Sequence, residues 1–124
     1  MLATLTFDGT IQNGATVQDV EAAIQALDGV DTTLLIVEIL SGKSLTIGGG
    51  PERFVAEIAE DSHHRWTVVE PDNGDESIEL VVGGQLVDYP ARVCVTVKAA
   101  LEAARTFMEQ DGARSPRVVW SVET

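Results

Sequence analysis

Cysteine occurs once in the 124 residues, as Cys94, so no intramolecular disulfide forms and no metal site built from several thiolates is available. It lies between Val93 and Val95, the setting of a small buried hydrophobe rather than of a reactive thiol. Histidine is nearly as scarce. His63 and His64 are the only two; adjacent residues point to opposite faces of a strand and lack the spacing that puts two ligands on one side of a helix. Basic residues are few, eight Lys and Arg against twenty Asp and Glu, which leaves a formal charge of −12. Such a field repels phosphate backbones and attracts basic surfaces, so direct nucleic-acid binding is not expected; the alternative source of the charge is solubility alone. No long apolar run is present. The longest, residues 34–37, falls far short of the roughly 20 residues that cross a bilayer. The opening Met-Leu-Ala-Thr-Leu-Thr-Phe-Asp lacks the basic and apolar regions of a secretory signal, which sets the expectation of a cytoplasmic chain. No internal repeat appears, and the length suits a single domain over residues 1–124.

What is present is organised around residues 78–108. Ile78, Leu80 and Val82 alternate as in a strand, Gly83-Gly84 offers the positive φ angles of a two-residue hairpin turn, and a second strand follows to Tyr89. Pro90 marks a bend. From Val97 the apolar period changes: Val97, Ala100, Leu101, Ala104, Phe107 and Met108 form one helical face, opposite Lys98, Glu102, Arg105 and Glu109. Thr96 is placed as N-cap and Gly112 as the left-handed residue that closes the helix. Lys98/Glu102 and Arg105/Glu109 are spaced to pair along it.

Before this unit, residues 2–7 read as a strand at a sheet edge, and Asn13-Gly14 reads as a turn ending it. Thr16 and Asp19 approximate a capping box ahead of a helix whose stripe is Val17, Val20, Ile24 and Leu27, stopped by Asp28-Gly29. Residues 32–40 form a strand with Leu35, Val37 and Ile39 on one face; residues 45–47 form a short one, broken by Gly48-Gly49-Gly50-Pro51. Phe54, Ala56 and Ile58 alternate in the next, residues 66–69 give another, and residues 71–76 form an exposed loop. The last strand, residues 117–122, carries Trp120 as a core residue and is free to return in parallel with an earlier strand. The fold class is therefore α+β: an antiparallel or mixed sheet of about six to eight strands with two helices packed on one face.

Catalytic patterns fail on physical requirements. Gly48-Gly49-Gly50-Pro51 is followed by no Gly-Lys-Ser/Thr, so it reads as a turn rather than a phosphate cradle. Ser41, Ser44 and Ser62 lack a nucleophile-elbow context, and one cysteine excludes the Pro-Cys-x-x-Cys of a zinc deaminase. No cofactor is implied. The remaining enzymatic alternative is a small acidic ligand-binding domain or enzyme using His63, His64 and neighbouring carboxylates.

Thr33-Leu34-Leu35-Ile36-Val37, then Leu45-Thr46-Ile47-Gly48-Gly49-Gly50 with Arg53-Phe54-Val55, then Val81-Val82-Gly83-Gly84-Gln85 with Tyr89-Pro90-Ala91-Arg92, follow in that order. With the 99–107 helix and Trp120 in the terminal strand, this succession resembles the bacterial immunity proteins of the Imm1 type over most of the chain. The resemblance implies an α+β protein without catalysis that neutralises a cognate toxin by binding it. Such toxins often carry nucleic-acid deaminase domains, and nuclease domains also occur. Contact residues do not carry over, because these interfaces diverge with each toxin.

The contact surface is read from this chain itself. Glu57, Glu60, Asp61, Glu70, Asp72, Asp75, Glu76 and Glu79 place eight acids within 23 positions that hold one cation, Arg65. Carboxylates so gathered suit a partner with a basic substrate groove, taking the places of phosphates against Arg forks; the alternative is a solvated edge. Trp66 is the candidate aromatic anchor among them. The chain is expected to act as a monomer, without membrane or nucleic-acid contact.

Overall fold

The computed structural model describes residues 3–7 and 9–123. Leu2, placed in the first strand above, lies outside them. Along the chain run β1 (Ala3–Phe7), β2 (Thr10–Ala15), α1 (Val17–Ala26), β3 (Leu34–Glu38), β4 (Ser44–Gly49) and β5 (Phe54–Ala59). There follow β6 (Arg65–Val69), β7 (Ser77–Val82), β8 (Gln85–Pro90), α2 (Val97–Glu109) and β9 (Val119–Glu123). Seven strands form one antiparallel sheet in the order β2-β1-β3-β4-β5-β6-β9, and β7 with β8 forms a separate hairpin. The architecture is α+β, as expected. No helix among the described residues is long and apolar enough to cross a membrane.

Period-2 alternation decides which face of the sheet is core. Leu35 and Val37 of β3, Leu45 and Ile47 of β4, and Ala56 and Ile58 of β5 are all buried, while their neighbours Ile36, Thr46 and Glu57 are only half-buried. Against that buried face pack α1 through Val20 and Ile24 and α2 through Ala100, Ala104, Phe107 and Met108. Both helices start at caps that the sequence specifies. Thr16 Oγ accepts from the Asp19 N–H at 3.2 Å and the Asp19 carboxylate accepts from the Thr16 N–H at 2.9 Å, a complete capping box despite the short acid. Thr96 Oγ accepts from the Ala99 N–H at 3.3 Å. At the far end of α2 the Gly112 N–H donates to the Phe107 carbonyl at 2.8 Å, and Asp111 shares the left-handed conformation predicted for Gly112. The helix-surface pairs differ from expectation. Arg105 reaches across to Glu21 of α1 at 2.7 Å, and Glu102 takes Ser115 and Arg117, because tertiary partners lie nearer than the residues four positions away.

Three further expectations are corrected. Asn13-Gly14 lies inside β2, where Gly14 is left-handed and the register with β1 shifts; the extra residue is absorbed as an irregularity, and β1 therefore sits inside the sheet rather than at its edge. Gly48 and Gly49 belong to β4 rather than to a turn. A Cβ on Gly48 would stand 2.6 Å from Val82 Cγ1, so glycine here lets the β7–β8 hairpin lie against the outer face of the sheet. Finally, β9 runs antiparallel to β6 at the sheet edge, not parallel to an earlier strand. The stretch after α2 doubles back along that helix, with Ser115 and Arg117 both reaching Glu102, so β9 starts beside Val69 and ends beside Arg65. Trp120 packs against the core from this strand, its Nε1–H donating to the Ser115 carbonyl at 2.9 Å.

Candidate functional site

The acidic stretch begins on β5, where Phe54, Ala56 and Ile58 take the core and leave Glu57 on the outer face, away from the helices. There its carboxylate accepts from Arg65 Nη1 at 3.0 Å. In the turn that follows, Asp61 Oδ1 accepts from the N–H groups of His63 and His64 at 2.7 and 3.0 Å, and the His64 ring lies 2.9 Å from Asp61 Oδ2. These bonds, the His63 N–H first, hold the Asp61 carboxyl below the usual aspartate range. His63 and His64 are both exposed, and among the described residues no group of three or more His, Cys, Asp or Glu is placed to hold a metal ion. Glu60 accepts from Trp66 Nε1 at 2.9 Å, and the Arg114 guanidinium lies 3.6 Å from the Trp66 ring centroid. Trp66 is thus half-buried and already occupied on its polar edge and one face.

At the other end of β6 the acids divide into two kinds. Glu70 accepts from the Thr96 N–H at 3.0 Å, which binds the strand end to the cap of α2, and Asp75 pairs with Arg92. Asp72, Glu76 and Glu79 are exposed and have no side-chain partner among the described residues. Glu79 faces Asp88 directly across the β7–β8 hairpin, both exposed, an unfavourable juxtaposition of like charges. Glu60 and Asp61 lie at one end of the five-residue strand β6 and Glu70 at the other, about 17 Å apart along it. Glu57 sits between them on the outer face.

Two concavities lie beside these acids. The larger, of about 710 Å³, opens between the 71–73 turn, the start of α2 and the approach to β9, with Glu70, Asp72 and Glu102 facing Lys98 and Arg117. The second, of about 360 Å³, runs between the outer face of the sheet and the β7–β8 hairpin. Val55, Val82 and Pro90 give it apolar walls; Thr46, Glu57, Thr67, Tyr89 and Arg92 give it polar groups. Thr67 Oγ is buried there without a hydrogen-bond partner among the described residues. Burial raises the Tyr89 phenol above its ordinary pKa, with smaller contributions from Cys94 and Glu57. Burial likewise raises the Cys94 thiol, whose Sγ lies 3.6 Å from the Pro90 carbonyl, as befits a packed hydrophobe.

Asp88, Tyr89, Thr46 and Thr67 went unnoticed in the sequence. The signal for Asp88 was available: a two-residue Gly83-Gly84 loop fixes the register, and Val82 opposite Gln85 places Glu79 opposite Asp88. The groove carried no such signal, since it arises where the hairpin folds over strands distant in sequence. Chemically, these concavities present carboxylates and hydroxyls beside the cations Lys98, Arg117 and Arg92, a lining of mixed charge.

The family model described as Immunity protein Imm1 matches residues 12–122, nearly the whole chain. No curated protein matches the chain.

Proposed function

The chain belongs to the Imm1 family of immunity proteins, a family whose role is immunity against a toxin, and on that premise we propose how it acts. It binds one cognate toxin domain in the cytoplasm, as a monomer and without catalysis, and covers that domain's basic substrate groove. The toxin domain acts on nucleic acid, as a deaminase or a nuclease, so its groove is built for a polyanion. Carboxylates presented by the immunity protein stand in for phosphates and pair with Arg forks, while the bulk of the domain excludes the substrate.

The observation that carries this reading is the division among the acids. Glu57, Glu60, Asp61, Glu70 and Asp75 have partners within the fold, whereas Asp72, Glu76 and Glu79 project from the loop before the hairpin and from β7 with none among the described residues. Carboxylates without internal partners do little for the fold and are available to a cationic partner. Co-expression with the toxin domain encoded beside this gene tests the reading. Survival of the host and co-purification of the two chains are expected; death of the host despite soluble immunity protein would remove it.

A further inference from the structure

The β7–β8 hairpin lies on the side of the sheet away from the helices, as a third layer, so one of its own faces is turned to solvent. Val82 lies over Gly48 and Tyr89 lines the groove beneath, so Ile78, Leu80 and Val87, of the same parity, face the sheet. The other parity should then be polar throughout. Ser77, Glu79 and Asp88 obey that rule. Val81 and Leu86, directly opposite each other, break it, and Leu86 is 65% exposed.

One exposed leucine needs no explanation, since folded surfaces carry such residues singly. Here the apolar pair stands about 7 Å along the ribbon from Glu79 and Asp88, which oppose each other on the same face. Neither carboxylate has a hydrogen-bond or ion-pair partner among the described residues. From Glu76 to Ala91 the chain holds no Lys or Arg, and Arg92 beyond is paired with Asp75. An apolar pair in water and two facing like charges both disfavour the isolated hairpin, and one event relieves both: docking of a surface that is apolar at its centre and basic around it. Resting on the reading that the partner is a basic toxin, we infer that the solvent face of the β7–β8 hairpin docks on that toxin domain. Val81 and Leu86 form the apolar centre of the contact, and Glu79 and Asp88 form its acidic rim. Charge disfavours the other occupants. A second copy of this chain, itself at −12, would set these acids against their own kind, and a nucleic acid would set phosphates against them.

The test measures binding kinetics of the full chain with the toxin domain encoded beside the gene, alongside thermal unfolding of each variant. Leu86→Ala should dissociate about tenfold faster, associate at nearly the parent rate and unfold at the parent midpoint. Val81→Thr, which keeps the shape and adds a hydroxyl, should also dissociate faster. Asp88→Asn relieves a repulsion and so does not weaken the fold; it should slow association, more at low salt than at high. Leu40→Ala, at a fully exposed leucine between β3 and β4, should bind as the parent does. A parent dissociation rate for Leu86→Ala, a parent association rate for Asp88→Asn, or an equal loss from Leu40→Ala overturns the inference alone. A parent chain that captures no toxin overturns the toxin reading and the inference with it.

Discussion

The Glu70 carboxylate accepts a hydrogen bond from the Thr96 backbone N–H at 3.0 Å, joining the end of β6 to the residue that caps α2. It also stands near the positive end of that helix, where a negative charge is favoured. Two positions further on, Asp72 is exposed and makes no such bond. Glu70→Ala should therefore cost about 1–3 kcal/mol of stability, with Glu70→Gln recovering part of it, while Asp72→Asn should stay within about 0.5 kcal/mol of the parent. Denaturant unfolding of the three variants checks this. Equal effects at the two positions would contradict the division between structural and available acids.

Glu79 and Asp88 oppose each other across the hairpin without a cation between them among the described residues. Replacing Glu79 by Lys converts repulsion into attraction and should stabilise the chain by about 0.2–1 kcal/mol at low ionic strength. The gain should shrink in salt. Thermal unfolding across a salt series measures it.

Gly48 lies beneath the hairpin, and a methyl there meets Val82 Cγ1 at 2.6 Å and the Thr33 carbonyl at 3.1 Å. Gly48→Ala should cost about 1–3 kcal/mol by forcing the hairpin off the sheet. Val82→Ala added to it should restore part of the loss, since it clears the nearer clash. A double-mutant cycle by chemical unfolding gives the coupling; strict additivity would mean that the hairpin does not press on β4 at Gly48.

Legibility in the sequence followed the range of the interactions. Thr16 with Asp19, Thr96 before its helix and Gly83-Gly84 between two strands are local devices, and each forms as its residues indicate. Residues 10–14 are all exposed and carry no apolar alternation, so β2 was invisible: it exists because the outer edge of β1 takes a hydrogen-bonding partner, not because of its own pattern. The direction of β9 depends on contacts of Ser115 and Arg117 with Glu102, thirteen and fifteen positions away, which no spacing rule supplies. The acidic stretch was legible as composition, yet tertiary partners such as Thr96 decide which carboxylates remain available. The groove between sheet and hairpin was beyond reach for the same reason, with Thr46, Thr67 and Tyr89 coming from three separate strands.

Asp28 Oδ1 accepts from the N–H groups of Val30, Asp31 and Thr32 at 2.8, 2.9 and 3.0 Å, and these bonds, that of Thr32 foremost, lower its pKa. A depressed folded value means that the ionised form stabilises the native state. That contribution is full above the ordinary aspartate value of about 3.9 and is lost as pH falls through the lower folded value. Asp28→Asn should accordingly be less stable than the parent near neutrality, and the gap should close in acid below about pH 3.9. Unfolding measured from neutral pH down to strong acid on both proteins tests this; a gap that widens in acid would contradict it.

Neutralisation by charge complementarity is tested most directly by the rate of association with the toxin domain encoded beside the gene, measured by stopped flow across ionic strength. Asp72→Asn, Glu76→Gln and Glu79→Gln together remove the exposed carboxylates of the 57–79 stretch that have no internal side-chain partner among the described residues. The triple variant should associate about tenfold more slowly at low salt, show a flatter salt dependence and dissociate at nearly the parent rate. An unchanged association rate with an unchanged salt slope would mean that these acids form only a solvated surface.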